Sequence, residues 1–348
     1  MMLFLVATLA AGATVYQLLA AYCAWRFAAR KRYPEADVGL VSLLKPVARR
    51  TPVIDAALAT HRNQTYPHVE LLEADGPQPD REGNPKIVRL QTLQPGGEIF
   101  VVSDADIRLE PDSIARIVVP FADPQTGCVT CLYRARPGKT FASLLDALWI
   151  SADFPGQVLT AERLQGMRFA LGAVMAVRRS DLEAVGGWEA LRPYLADDYQ
   201  LGARIAQLGK RVVLSDLVVE TAHGSPSWRE VWTRHLRWSR TIRVSRPAGH
   251  FGLIWTQATV WGLGLLTVGA PPIWAAVPLL ARLLSAVITA RAVGARWVFL
   301  RFPLVLVADL VSFAAWLASF ASSTVEWGGR RYRQSGEGRI VSRVDRGT

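Results

Sequence analysis

Four clusters of charged side chains interrupt an otherwise apolar chain, and each has a spacing that suits a particular chemistry. Asp75 follows the apolar run 69–74 in the string EADGP, and Asp104 and Asp106 close the run 99–103 in VSDADI. Two carboxylates one residue apart at a strand end offer hard oxygen ligands to Mg²⁺ or Mn²⁺, which in turn bridges a diphosphate and neutralises a leaving group. The same pattern also serves loop solvation or helix capping, as Asp112 does a little later. Asp197 and Asp198, in YLADDYQLG, open a helix. There the helix dipole alone favours carboxylates, but one of the pair is also suited to act as general base toward a hydroxyl nucleophile. The fourth cluster lies in 228–245, where Arg234 and Arg237 stand three residues apart with Trp238 beside them. At helical spacing both guanidinium groups reach a single diphosphate.

These residues need a scaffold. Short apolar runs alternate with helical stretches between residues 33 and 248, a pattern that predicts an α/β sheet domain. Strands are expected at 39–44, 69–74, 99–103 and 127–133, and helices at 52–62, 111–121 and 141–152. In such sheets ligands gather beyond the carboxyl ends of the strands, where Asp75, Asp104 and Asp106 fall. Three cysteines exclude a disulfide framework. Cys128 and Cys131 have metal-site spacing, but on a strand residues three apart face opposite ways, so they are expected in the core.

With 51% hydrophobic residues the 348-residue chain is too apolar for an ordinary soluble enzyme. Residues 1–26 read as an uncleaved transmembrane anchor, because the apolar stretch precedes its charges, Arg26, Arg30, Lys31 and Arg32. That charge order places the N-terminus outside and the following domain, 33–248, in the cytoplasm. A second apolar block, 251–325, has room for two or three membrane helices, and 326–348 is expected to form a basic cytoplasmic tail. Arg291, Arg296 and Arg301 all favour the cytoplasm, as do Arg330, Arg331 and Arg333, yet a full span between them would separate the two groups. One segment is therefore expected to be re-entrant or interfacial. Asp309 inside this block is either a functional carboxylate or a residue facing neighbouring helices. The net charge of +11 points to an anionic membrane surface rather than to nucleic acid, because the basic residues flank apolar segments. Segment 228–245 combines apolar residues at helical spacing with an arginine face, and reads as an amphipathic helix at the interface, presenting tryptophan to lipid and arginine to head groups or phosphates.

Taken together, Asp75, Asp104/Asp106, Asp198 and RHLRW at 234–238 follow the D, D, D, (Q/R)xxRW order of inverting family 2-like and family 21 glycosyltransferases. The chain resembles the ceramide glucosyltransferase family and its bacterial hopanoid-associated relatives through VSLLKP at 41–46, YPHVELL at 66–72, NPK at 84–86, SDADIR at 103–108, residues 172–187, LADDY at 195–199 and WGGRRYR at 327–333. The resemblance implies a GT-A domain, a Rossmann-like mixed sheet, between N-terminal and C-terminal transmembrane helices. It assigns Asp198 as catalytic base and Asp104 and Asp106 to the donor and a divalent cation, Mg²⁺ or Mn²⁺. Lys45, Asp75, Lys86, Arg234, Arg237 and Trp238 fall to the nucleotide-sugar donor, with Trp238 also shaping the acceptor mouth. Two departures from the family pattern stand out: Asp197 replaces the usual glutamate, and the interval from Asp75 to Asn84 is shorter than in relatives by about a helix and a strand.

The implied reaction is inverting transfer of glucose or N-acetylglucosamine from a UDP-sugar to the hydroxyl of a membrane lipid, ceramide first and bacteriohopanetetrol as the alternative. Resemblance to bacterial relatives also implies a multi-pass protein of the inner membrane. Two rivals share part of the signature. A processive polysaccharide synthase needs more membrane helices to enclose a polymer, and an inactive membrane scaffold has no reason to keep every charged position.

Overall fold

The computed structural model describes residues 1–30, 36–76, 79, 81–222 and 224–344. Lys31, Arg32, the first residues of the expected 33–248 domain and the last four of the tail lie outside these, as does part of the short interval after Asp75. By internal contacts the chain divides into two units. A sheet unit comprises Lys31–Tyr133, Gln165–Ala222 and Trp327–Thr348, and a helical unit comprises Met1–Arg30, Arg134–Leu164 and His223–Glu326.

The sheet unit is built on β1 (Val41–Pro46), β2 (Val69–Ala74), β3 (Ile99–Ser103), β4 (Ile107–Arg108), β5 (Thr126–Ala135), β6 (Val174–Arg178) and β7 (Arg211–Thr221), in the order β2-β1-β3-β6-β5-β7-β4. β1 pairs in parallel with β2 and β3, whereas β6 runs antiparallel to β3 and β5, and β4 antiparallel to β7. The sheet is therefore mixed. Its strands are apolar on both faces, as expected where both are covered. Val41, Leu43, Ile99, Val101 and Cys131 belong to one core cluster, and Leu44, Phe100, Val102, Met175 and Cys128 to the other. The period of two thus sends the two cysteines to opposite faces, each a free buried thiol.

Several boundaries differ from the sequence reading. β1 starts two residues later than expected and runs on through Lys45, so this side chain projects from the strand itself. The expected helix 111–121 is α-helical only over Ser113–Val118 and continues as a 3₁₀ turn, Val119–Ala122, where Pro120 supplies no N–H for an α-helical bond. β6 and β7 were not among the expected strands. The tail carries an antiparallel hairpin, Arg330–Gln334 with Ile340–Val344, in which Tyr332 and Gln334 are buried while Arg331 and Arg333 are exposed. Ile340 N–H donates to the Pro193 carbonyl at 2.7 Å, which fastens the hairpin to the sheet unit.

In the helical unit, Met2–Ala28, Pro272–Ala292 and Phe302–Ser319 are long and apolar enough to cross a membrane; Ala258–Thr267 is apolar but short. The fully buried Arg282 donates to both carboxylate oxygens of Asp309, at 2.9 and 2.8 Å, and to the Ala152 carbonyl at 3.1 Å, with Asp153 a further 3.4 Å away. Thr259 Oγ1 donates to the same Asp309 carboxylate. Asp309 thus faces neighbouring helices, the structural alternative of the two the sequence left open. Breaking a buried ion pair by deleting one partner costs about 3–5 kcal/mol. Asp309→Ala is expected to fall at the lower end, because Asp153 still answers Arg282, and to lower the thermal unfolding midpoint of the detergent-solubilised chain; an unchanged midpoint would show that the pair holds nothing together.

Candidate active site

The three parallel strands deliver Lys45, Asp75 and Asp104 to their carboxyl ends, the position at which open α/β sheets bind ligands. Lys45 is fully buried, its Nζ 3.1 Å from His61 Nε2 and 3.3 Å from Ser103 Oγ, and it donates to the Asp104 backbone carbonyl. His61 Nδ1 lies 3.0 Å from the Ala57 carbonyl, an acceptor only, so Nδ1 carries the proton and Nε2 accepts from the ammonium. Burial, reinforced by Lys45, pushes the His61 pKa down to about 3 and keeps the ring neutral. Burial likewise lowers Lys45 to about 7, against the pull of Asp104 and Asp106. Lys45 thereby anchors the turn that carries the aspartates.

Lys86 is the centre of the carboxylate cluster. Its Nζ, almost wholly buried, lies 2.8 Å from Asp104 Oδ1 and 3.5 Å from Asp197 Oδ2, and donates to the Gly172 carbonyl at 3.0 Å. Asn84 places it there. As N-cap of Pro85–Leu90, the Asn84 side chain accepts from the Lys86 and Ile87 N–H groups while its amide donates to Asp197 Oδ1 at 3.1 Å and to the Tyr194 carbonyl at 2.8 Å. Asn84 was not singled out as a site residue, although Asn followed by Pro at the first helical position is a legible start signal.

Asp197 and Asp198 open the helix Asp197–Gln207 as expected. Asp198 Oδ1 accepts the Tyr199 N–H at 2.8 Å. Burial first, and the Asp197 charge second, push the Asp198 pKa up to about 6 despite the opposing pull of Lys86. A Cβ on Gly172 would sit 3.0 Å from Asp198 Oδ2, so glycine leaves this oxygen its room. Asp106 Oδ2 accepts from Thr221 Oγ1 at 3.0 Å, which ties it to β7. Among the described residues no group of three or more His, Cys, Asp or Glu side chains is arranged to enclose a metal ion. Asp104 and Asp106 still fit Mg²⁺ or Mn²⁺, since such ions are commonly held by one or two carboxylates plus substrate phosphates. Asp75 stands apart from Lys86: its Oδ2 accepts from Arg50 at 3.0 and 2.6 Å, in an exposed group that includes Glu73.

Arg234, Arg237 and Trp238 belong to the helical unit, on the helix Trp228–Ser245, which opens with a capping box between Ser227 and Glu230. Its N-terminal half is fixed by a residue the sequence reading passed over. Asp146, on Phe141–Ala152, has a fully buried carboxylate that accepts from Arg234 Nη1 at 2.6 Å and from His235 Nε2 at 2.8 Å. One turn on, Trp149 stacks on Trp238 with ring centroids 5.4 Å apart. The arginine face is not wholly turned to head groups as expected. Arg240 donates to the Thr324 carbonyl and Arg243 to the Ser322 carbonyl, while Trp228 and Trp232 are exposed.

A mixed sheet with an acidic cluster at the ends of its parallel strands defines a GT-A type glycosyltransferase fold. The profile of glycosyl transferase family 21 matches residues 5–74 and 77–340, so the chain belongs to that family. The match is interrupted at Asp75–Gly76, where the short interval begins. Among solved structures, a mannosyltransferase from Pyrobaculum calidifontis, PcManGT, in complex with GDP-Man and Mn²⁺, is 19% identical with a TM-score of 0.50, over 92% of this chain and 99% of that one. GalNAc-T7 with UDP, GalNAc and Mn²⁺ is 11% identical, with a TM-score of 0.39, over 61% of this chain and 51% of that one.

Two outcomes follow for a nucleotide-sugar-dependent transferase. Hydrogen bonds to charged groups contribute about 1.5–3 kcal/mol. If Arg234 holds the donor's diphosphate, Asp146→Asn is expected to weaken nucleoside diphosphate binding by about tenfold or more with the circular dichroism spectrum unchanged, whereas unaltered affinity would detach Arg234 from donor binding. If Asp198 is the catalytic base, its pKa of about 6 makes kcat/KM rise with pH through that value and level off above it. A profile flat from pH 5 to 8 would assign the base elsewhere.

Proposed function

We propose that the chain is an inverting, divalent-cation-dependent glycosyltransferase that moves a hexose, glucose or N-acetylglucosamine, from a UDP-sugar to the hydroxyl of a membrane lipid. The observation that carries this reading is the cluster of Asp104, Asp197 and Asp198 around the buried ammonium of Lys86. Asp198 takes the proton of the acceptor hydroxyl as that oxygen bonds to the anomeric carbon, and the bond to the departing phosphate oxygen breaks with its electron pair leaving on the nucleoside diphosphate. A hydroxyl is a poor nucleophile, and a base raised to about 6 is ionised at neutral pH yet basic enough to help. Asp104 and Asp106 would hold the cation, which supplies charge neutralisation at the diphosphate. Arg234, Arg237 and Trp238 would hold the departing diphosphate, because fixed cations act strongly on developing charge in a site with little water. Asp75, Lys45 and Lys86 complete the donor side.

The acceptor is proposed to be ceramide, with bacteriohopanetetrol as the alternative. Three helices of membrane-spanning length support a lipid substrate, and the order of charges around Met2–Ala28 supports a cytoplasmic catalytic side in a bacterial inner membrane. A processive synthase, which needs more helices to enclose a polymer, is disfavoured by the three of membrane-spanning length among the described residues.

The test is transfer by purified membranes carrying the chain, offered UDP-glucose or UDP-N-acetylglucosamine with ceramide or bacteriohopanetetrol, with and without Mn²⁺ or Mg²⁺. A glycolipid is expected in at least one metal-containing combination and is expected to disappear with Asp198→Asn. No glycolipid in any combination would overturn the reading.

A further inference from the structure

The helix Phe302–Ser319 has the length and apolarity of a membrane span, but the contacts at its two ends place both on one side. The directions of the other helices fix the frame. Met2–Ala28 and Pro272–Ala292 run side by side in the same sense. Ala10 and Ala275 share a cluster near their starts, whereas near their ends a Cβ on Gly156 would lie 3.5 Å from Ala20 and 3.4 Å from Thr289. Two neighbours that run the same way require the chain between them to return. That return is the broken segment Pro247–Gly252, Leu253–Thr256 and Ala258–Thr267. Trp255 packs against Gly12, where a Cβ would come within 2.5 Å of the ring, and Gly264 packs against Val6 further toward the N-terminus. Gly269 to Pro271 therefore lie at the starting end of the first helix, and Arg291 lies at its finishing end with Arg26 and Arg30.

From Arg291 onward the chain is fastened to elements at that finishing end. The Val293 carbonyl accepts from Arg134 at 3.1 Å, and Trp297 Nε1 donates to the Ala135 carbonyl at 3.1 Å, just before the helix Phe141–Ala152. At the other end of Phe302–Ser319, Trp316 Nε1 donates to the His250 carbonyl at 2.9 Å, Ser319 Oγ lies 3.0 Å from His250 Nε2, and Arg243 donates to the Ser322 carbonyl at 3.0 Å. Arg243 belongs to the helix Trp228–Ser245, and that helix is locked to Phe141–Ala152 through Asp146. A full crossing would carry either Phe141–Ala152 or the arginine-rich Trp228–Ser245, which are bonded to each other, to the opposite side of the bilayer.

We propose that Phe302–Ser319 does not cross: it enters and leaves on one face and lies within a single leaflet. Its depth is set at Asp309, which is bonded to Arg282. Arg282 stands two turns before Thr289, and at a rise of 1.5 Å per residue the pair sits about 10 Å below the level of that residue. The exposed side chains Val307, Leu310, Leu317 and Phe320 meet the acyl chains of that leaflet. Arg291, Arg296 and Arg301 then share one face with Arg240 and Arg243, as the preference of basic residues for one side requires. The proposal stands independently of the transferase reading.

Single cysteines at the exposed positions Thr267→Cys, Arg296→Cys and Ala321→Cys, introduced into the full chain, test it with a membrane-impermeant maleimide on sealed vesicles of either orientation. The native thiols are buried, and the unaltered chain gives the baseline. Arg296→Cys and Ala321→Cys are expected to label from the same side, and Thr267→Cys from the other. Labelling of positions 296 and 321 from opposite sides would make the helix a span and overturn the proposal. Labelling of either only after the membrane is dissolved would bury that end in the bilayer and overturn it as well. A Thr267→Cys that labels together with the other two would remove the crossing from which the argument starts.

Discussion

Asp104 and Asp197 share the buried ammonium of Lys86, and Asp198 lies close enough for the same charge to lower its pKa. At an effective dielectric constant of 20, two unit charges 4 Å apart interact by about 4 kcal/mol. Lys86 and Lys45 together bring fewer positive charges than Asp104, Asp106, Asp197 and Asp198 bring negative ones, so the cluster retains an appetite for positive charge. Lys45 holds the Asp104 turn by its backbone, Asn84 holds Asp197 and starts the helix that carries Lys86, and Gly172 leaves room beside Asp198. Asp197, one methylene shorter than the glutamate that the resemblance implies at this position, still meets both Asn84 and Lys86.

The helical unit answers with the opposite arrangement. Here a single buried carboxylate, Asp146, gathers Arg234 and His235, and the Trp149–Trp238 stack fixes the next turn of the same helix. In both units a buried charge of one sign holds polar or oppositely charged side chains in a fixed direction before any ligand arrives. Preorganisation of this kind is what makes fixed charges effective on a transition state, because little reorganisation is left to perform during reaction.

Much of this was legible in the sequence wherever the signal was local. The strands at 69–74 and 99–103 were bounded correctly because each is an apolar run closed by aspartate, and the helix 228–245 because its apolar residues keep a helical period. Long-range partners were not legible. Asp146 sits in a helix whose pattern reads as buried and apolar, and only the fold shows that it meets residues nearly ninety positions away. Arg282 escaped attention for the same reason: its partner Asp309 looked unexplained until the two were seen together. β7 was hidden because Ser215 and Asp216 interrupt its apolar run, and the tail hairpin because alternating arginines look like a solvated charge run rather than a strand with one face covered.

The claim on which the rest turns is that the Asp104/Asp106 carboxylates recruit a divalent cation that binds the donor's diphosphate. Calorimetric titration of UDP into the detergent-solubilised full chain, with and without Mn²⁺, tests it most directly. Mn²⁺ is expected to tighten UDP binding to the native chain and to lose that effect when both Asp104 and Asp106 are replaced by asparagine. Equal affinity with and without the metal in the native chain would contradict the account.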